Sequence, residues 1–278
     1  MNLFLQCGDK VLLEEFSKQT KLTSPQSADV MFIDWLPDMS QSFLDKYKTL
    51  KKKQTFIIFD RFLSIEVDEA NDFRRKGYIL MEPALNFRRK YFHYIPFWTK
   101  IKGLDDIKLN EELNVRPYDL VYKGNLQGKK SSFNQYYIEY AKSYPKTVFY
   151  ENQKSISQLE SESYSNHGIV KKDNISYTDA KTTLIIGSPL DYEIGYLDYH
   201  IFEALDNNCI PLIVNEHKYF SLLSPYRIDN SISDINYITN SYNGTYIGYI
   251  RDIYLYIEKY YPEMIIENVV KQILDYVR

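Results

Sequence analysis

LIIGSPLDYEIGYLDYHIFEALDNNCIPLIV, from Leu184 to Val214, is the stretch whose reading decides the fold. An apolar run, TLIIG from Thr183, ends in Gly187-Ser188-Pro189. A polar loop then leads to a helix expected over 197–207, and a second apolar run, expected to be a strand, occupies 210–214. Two short apolar runs on either side of one helix make a βαβ unit, whose strands lie parallel in a sheet covered on both faces. On the expected helix His200 and Glu203 stand three residues apart, so they share a face.

The same rhythm extends outward in both directions. In the first half, strands are expected at 3–7, 29–34 (DVMFID), 55–60 (TFIIFD), 78–81 and 91–97, with helices at 10–18, 40–50 and 67–76. A polar stretch, 103–117, ending at Pro117, reads as a linker between domains. The rhythm then restarts with strands at 119–123 (DLVYK), 147–150 and 183–187, and helices at 132–143 and 155–162. Helices at 232–239, 247–260 and 262–277 close the chain, the last of them placed to cross back to the first domain. The expectation is an α/β protein with an N-terminal domain over 1–102 and a C-terminal domain over 118–278.

Composition fits this picture. The 278 residues are 44% hydrophobic and 26% charged, as in an ordinary packed protein of one or two domains. The 27 tyrosines belong to a Tyr-, Lys-, Asn- and Ile-rich vocabulary that an AT-rich genome explains. Cys7 and Cys209 are too far apart for a CxxC motif, and the four histidines lack HExxH spacing, so neither a disulfide framework nor a zinc site is expected. No basic segment precedes the apolar start, where Asp9, Glu14 and Glu15 follow at once, and no run is long enough to span a bilayer. A cytoplasmic protein without membrane partners is expected.

Charge is uneven. Net charge is −3 over the whole chain, yet residues 46–102 hold 14 Lys and Arg against 6 Asp and Glu. A local basic excess suits an anionic partner such as nucleic acid; alternatively Lys51, Lys52 and Lys53 are a solvated helix end. Within this segment DFRRKGYI and NFRRKYFHYIPFW interleave Arg74, Arg75, Arg88, Arg89 and Lys90 with aromatic residues. That mixture grips phosphates and stacks on bases, or else is a core strand with a solvated edge.

In the second half, the strand DLVYK runs into GNLQGKKSS. Gly124 and Gly128 would let backbone approach a phosphate, and Lys129 and Lys130 supply charge where a helix begins. A tight turn with solvated lysines is the other reading. Glu203 could accept two hydrogen bonds from a ribose diol, and His200 could donate to a phosphate; the bland alternatives are an exposed helix carboxylate and a packing imidazole.

These segments, in this order, carry a resemblance. LIIG followed by His200 and Glu203 resembles the R-x-x-E region of GT-B glycosyltransferases. The succession TFIIFDRFL (Asp60, Arg61), YIPFW, DLVYKG with Lys129-Lys130, and LIIG resembles the phage DNA glucosyltransferases of the T-even β-glucosyltransferase type. His200 stands where that family has Arg, and Gln127 where its phosphate loop has another.

The resemblance implies a GT-B fold, two Rossmann-like domains facing a central cleft. It implies transfer of a sugar, glucose from UDP-glucose in the family, to a hydroxymethylated pyrimidine of double-stranded DNA, with inversion. Asp60 would be the general base. Gly124, Asn125, Gln127, Lys129, Lys130, Gly187, His200 and Glu203 would hold the donor, and Arg61, Arg74, Arg75, Arg88, Arg89 and Lys90 the DNA. Taken as a residue type alone, Asp60 could equally cap a turn after its strand. No cofactor is required on this reading, although a divalent metal remains compatible with it. Two other functions stay open: a glycosyltransferase of surface polysaccharide synthesis, and a non-enzymatic module binding nucleotide or nucleic acid.

Overall fold

The computed structural model describes residues 1–50, 54–85, 89, 91–102, 116–124, 129–138, 146–151, 169–171, 174–214, 216–217, 227–228 and 243–277. The chain divides into two compact units, Met1–Lys100 with Glu263–Arg278, and Ile101–Pro262.

The first unit is built on six parallel strands: β1 (Asn2–Gln6), β2 (Lys21–Leu22), β3 (Val30–Asp34), β4 (Thr55–Phe59), β5 (Ile79–Glu82) and β6 (Phe92–Tyr94). They lie in the order β2-β1-β3-β4-β5-β6, all parallel. Connections α1 (Lys10–Gln19), α2 (Pro37–Tyr47) and α3 (Val67–Arg75) alternate with the strands. Every residue of β3 is buried, as a strand covered on both faces requires. Met31, Ile33, Phe56, Ile58 and Leu80 pack with Trp35, Leu44, Ile65 and Phe73 in one apolar core. Asp9 caps α1, its Oδ1 accepting from the Leu12 amide at 3.0 Å.

The terminal helix α8 (Ile266–Asp275) groups with this first unit, the crossing back expected of the last helix, so the second unit ends at Pro262 and not at 278. The reason is its apolar stripe: Ile266, Val269, Val270, Ile273 and Leu274 are all buried, at helical spacing. Thr99 pairs with the segment leading into α8, its amide donating to Met264 O at 2.9 Å while the Ile266 amide donates to Thr99 O at 3.0 Å.

The second unit repeats the design with β7 (Tyr118–Gly124), β8 (Thr147–Glu151), β9 (Ile169–Lys171), β10 (Ala180–Ile185), β11 (Ile210–Val214) and β12 (Arg227–Ile228). Their order is β12-β11-β10-β7-β8-β9, again all parallel. Counted from β7, this is the 3-2-1-4-5-6 order of a dinucleotide-binding Rossmann sheet. Helix α4 starts at Lys130–Ser132 and continues as a π-helical turn over Phe133–Tyr137. Then follow α5 (Pro189–Ile194), α6 (His200–Asp206) and the long α7 (Asn243–Tyr260).

Two differences from the sequence expectations matter here. The stretch after Gly187, expected as loop, forms α5: Ser188 and Asp191 close a reciprocal capping box around Pro189, and Gly195 ends the turn at φ 67°. The short edge strands β2, β9 and β12 were not expected, since two or three residues carry no readable alternation. The helices expected at 155–162 and 232–239, and the linker core 103–115, lie outside the described residues, as do Lys51, Lys52 and Lys53.

Candidate functional site

In an open parallel sheet, a ligand crevice forms beyond the carboxyl ends of the strands, where the strand order reverses. In the second unit that point lies between β7 and β10, the first and fourth strands. Gly124 ends β7 there with φ 154°, a backbone conformation that side chains with a Cβ rarely adopt. Gly187 follows β10; a Cβ on it would sit 3.0 Å from Asp191 Cβ and Tyr192 Cε1, and 3.2 Å from His217 Cε1. Its amide donates to Tyr192 Oη at 2.9 Å, so that N–H is already bonded.

Charged side chains converge on the same crevice from three elements. Lys129, just ahead of α4, places Nζ 2.8 Å from Asp198 Oδ2. Asp198, ahead of α6, also accepts from the His200 amide at 3.2 Å and lies 2.5 Å from His200 Nδ1. Burial alone would raise the Asp198 carboxyl, but His200 and Lys129 outweigh it and hold the group well below the usual carboxylate range. Burial likewise opposes charge on Lys129, and Asp198 reverses the effect, so its ammonium stays protonated.

The Asp198 contact fixes a proton on His200 Nδ1 and turns the other ring nitrogen toward Glu203. His200 Nε2 is buried, has no hydrogen-bond partner among the described residues, and lies 4.0 Å from Glu203 Oε2. Lys123, near the end of β7, forms an ion pair with Glu203 Oε1. Its ammonium also sits 5.0 Å from the centre of the Tyr177 ring. A small cavity lined by Tyr122, Lys123, Tyr177, Ile186, Asp198 and His200 lies under this cluster.

The structure therefore brings Gly124, Lys129, Gly187, His200 and Glu203 to one crevice. Asn125, Gln127 and Gly128 lie outside the described residues, as does the Lys130 side chain. Lys123 and Asp198 escaped the sequence reading. Lys123 carries a signal in hindsight: it is the one charged residue in an otherwise apolar strand end, VYKG. Arg116 also escaped it, having been assigned to the linker. It is buried and donates to the carbonyls of Tyr177 (3.1 Å), Ala180 (2.5 Å), Asn207 (2.8 Å) and Asn208 (3.1 Å), tying the start of β10 to the end of α6.

The first unit reverses its strand order between β1 and β3, which puts its crevice at the Cys7–Asp9 loop and Asp34. Asp34 accepts from Arg61 Nε at 3.1 Å and pairs with Arg61 Nη2 at 2.9 Å, and its side chain keeps 11% exposure. Burial raises its carboxyl against the lowering charge of Arg61. Asp9 accepts from Trp98 Nε1 at 3.1 Å beside it, and Arg61 lies 5.3 Å from the Trp98 ring centre.

Asp60, expected as the general base, directly follows the neighbouring strand β4 and is wholly buried. Its oxygens accept from the Ser64 amide (2.8 Å), Ser64 Oγ (3.2 Å), the Ile65 amide (3.0 Å) and Arg89 Nη2 (2.8 Å). That is the turn-capping role, and it leaves no access for an acceptor hydroxyl. The expected DNA-binding set is dispersed as well. Arg61 and Arg89 are consumed by buried carboxylates. Arg74 stacks on Tyr91 at 3.4 Å, and Arg75 lies 3.7 Å from Asp72. Arg88 and Lys90 lie outside the described residues. Among the described residues no group of three His, Cys, Asp or Glu is placed to hold a metal ion, and no helix is long and apolar enough to cross a membrane.

No protein-family model matches the chain, and no curated protein matches it in sequence. Solved structures do. HepE of Anabaena, crystallised in complex with UDP, aligns with a TM-score of 0.54 and 10% identity over 99% of each chain. The fold is of the GT-B type. A UDP-GlcNAc 2-epimerase from Neisseria meningitidis, bound to UDP-GlcNAc, aligns with a TM-score of 0.46 and 10% identity, over 99% of this chain and 98% of its own. At such identity the GT-B likeness concerns the fold, and the chemistry has to be argued from the residues of the crevice.

Proposed function

We propose that this GT-B chain is a nucleotide-sugar-dependent glycosyltransferase that binds a UDP-sugar at the β7/β10 crevice of its second unit. The observation that carries the reading is the convergence of Lys123, Lys129, His200 and Glu203 on the reversal point of a Rossmann sheet, beside Gly124. Cations and an imidazole there suit a diphosphate and the charge that grows on it as it leaves. Glu203 suits the paired hydroxyls of a ribose. The UDP in the HepE structure supports uracil as the base of the nucleotide.

The acceptor hydroxyl needs a base, and Asp34 is the carboxylate this reading assigns. It stands at the reversal point of the first sheet, where Asp60 does not. A saccharide acceptor is favoured over hydroxymethylated duplex DNA, because Arg61 and Arg89 already neutralise buried carboxylates and are withdrawn from any phosphate backbone. The inverting outcome and the identity of the sugar follow only from the family resemblance.

Calorimetry with UDP, UDP-sugars and other nucleoside diphosphates tests the donor. Glu203→Ala is expected to weaken UDP binding by at least ~1.5 kcal/mol, the scale of a lost charged hydrogen bond. A folded wild-type protein without affinity for UDP would overturn the reading. For the acceptor, duplex DNA binding that weakens steeply with salt would restore the DNA alternative.

A further inference from the structure

The geometry points to the Lys123–Glu203 ion pair as a gate: the crevice admits a ligand that brings an anionic diphosphate and a vicinal diol together, and resists one that brings the anion alone. The inference rests on the UDP-sugar reading above and adds a reason for its selectivity.

Both lysines described in the crevice already hold a carboxylate, Lys129 that of Asp198 and Lys123 that of Glu203. The Lys129 pair is the more enclosed, with side chains 14% and 19% exposed, and Asp198 is further bound by His200. The Lys123 pair is looser, at 20% and 34%. An inorganic anion approaching Lys123 must separate it from Glu203, and leaves that carboxylate unpaired beside a second negative charge. Removing one partner of a half-buried pair is costly for this reason. A nucleoside diphosphate replaces both partners at once: phosphate oxygen for Lys123, ribose hydroxyls for Glu203. Selectivity then comes from penalising the incomplete ligand as much as from rewarding the complete one.

The structure also indicates which side moves. Lys123 leaves a strand and is held over the Tyr177 ring, 5.0 Å from its centre, a contact that favours the cation where it stands. Glu203 is the more exposed partner and lies on a helix surface, free to swing. The buried His200 Nε2, without a hydrogen-bond partner among the described residues and 4.0 Å from Glu203 Oε2, is the polar atom into which the exchange opens.

Calorimetry on the full chain tests this with inorganic pyrophosphate, uridine and UDP, using wild type, Glu203→Gln and the double variant Lys123→Gln/Glu203→Gln. Glu203→Gln keeps the shape of the side chain, and thermal melts confirm folding. Glu203→Gln is expected to bind pyrophosphate at least about threefold more tightly than wild type, since a partly exposed pair no longer has to be broken. It should bind UDP and uridine more weakly, and adding Lys123→Gln should abolish the pyrophosphate gain. An unchanged or weaker pyrophosphate affinity in folded Glu203→Gln overturns the gate even if wild type binds UDP. A wild type that fails to bind UDP overturns the nucleotide reading, and the diol half of the gate with it, whichever way pyrophosphate moves.

Discussion

Arg89 Nη2 lies 2.8 Å from Asp60 Oδ2, and with that contact the Asp60 carboxylate is closed off from solvent. The remaining acceptor positions of Asp60 face the Ser64 and Ile65 amides, so the group organises the loop after β4. Asp60→Asn is expected to lower stability by about 3 kcal/mol, because Arg89 and two amides lose a buried anion. Urea unfolding measures it. A variant of wild-type stability that has lost transfer would return Asp60 to the chemistry.

Glu82 shares the same guanidinium, with Arg89 Nε 2.5 Å from its Oε2. Burial lifts its carboxyl from 4.5 to about 7 despite the lowering charge of Arg89. A raised folded pKa means that the folded state binds more protons than the unfolded chain between those two values. Stability from this group is therefore fully present below about pH 4.5 and is lost as pH rises toward 7. The change is on the order of 3 kcal/mol. Melting temperatures measured from pH 5 to pH 8 should fall for wild type relative to Glu82→Gln. Parallel curves for the two proteins would show that Glu82 does not titrate there.

Arg116 offers a test of the scaffold beside the β7/β10 crevice. Four backbone carbonyls depend on one buried guanidinium. Arg116→Ala is expected to cost about 3 kcal/mol or more, since several buried acceptors lose a charged donor. Arg116→Lys should recover little, because a single ammonium cannot reproduce the planar fork. Chemical denaturation of both variants reads the difference; a lysine variant as stable as wild type would show that charge alone suffices.

How far the sequence led depends on the range of the interactions concerned. Strands such as β4 and β11 were legible because five consecutive apolar or β-branched positions satisfy a doubly covered sheet locally. The buried stripe of α8 was legible for the same kind of reason, although its membership of the first unit depends on Thr99 and on α1. The signals for α5 were present in Ser188, Pro189 and Asp191, but six residues are too short for periodicity to show. Strand order is a long-range property, and with it the position of each crevice. The sequence expectation of Asp60 as the base rested on a local signal, the Arg61 that follows it, which carries no information on strand order. Nor do residue types show that Arg89, twenty-nine residues beyond Asp60, folds back onto it. Among the described residues Arg116 bonds only to main-chain carbonyls, which leave no mark in residue types.

Asp34 is where the chemistry of the proposed reaction is most open to test. It stands at the strand-order reversal of the first sheet, flanked by Asp9 and Cys7 and steadied by Arg61 at 2.9 Å. Its side chain retains a solvent-facing edge, which Asp60 lacks. A base works only when deprotonated, and burial raises this carboxyl even against the opposing charge of Arg61. The acid limb of the rate profile should therefore lie above the ordinary carboxylate range, with transfer falling as pH drops through it. Asp34→Asn should bind UDP as wild type does, because the donor residues belong to the second unit, and lose about 10²- to 10⁴-fold in transfer rate. Arg61→Met, which removes the lowering charge, should move the acid limb further up. Transfer rates across pH for the three proteins, with UDP affinity measured alongside, decide the matter: full activity in folded Asp34→Asn, or an acid limb unmoved in Arg61→Met, removes Asp34 as the base.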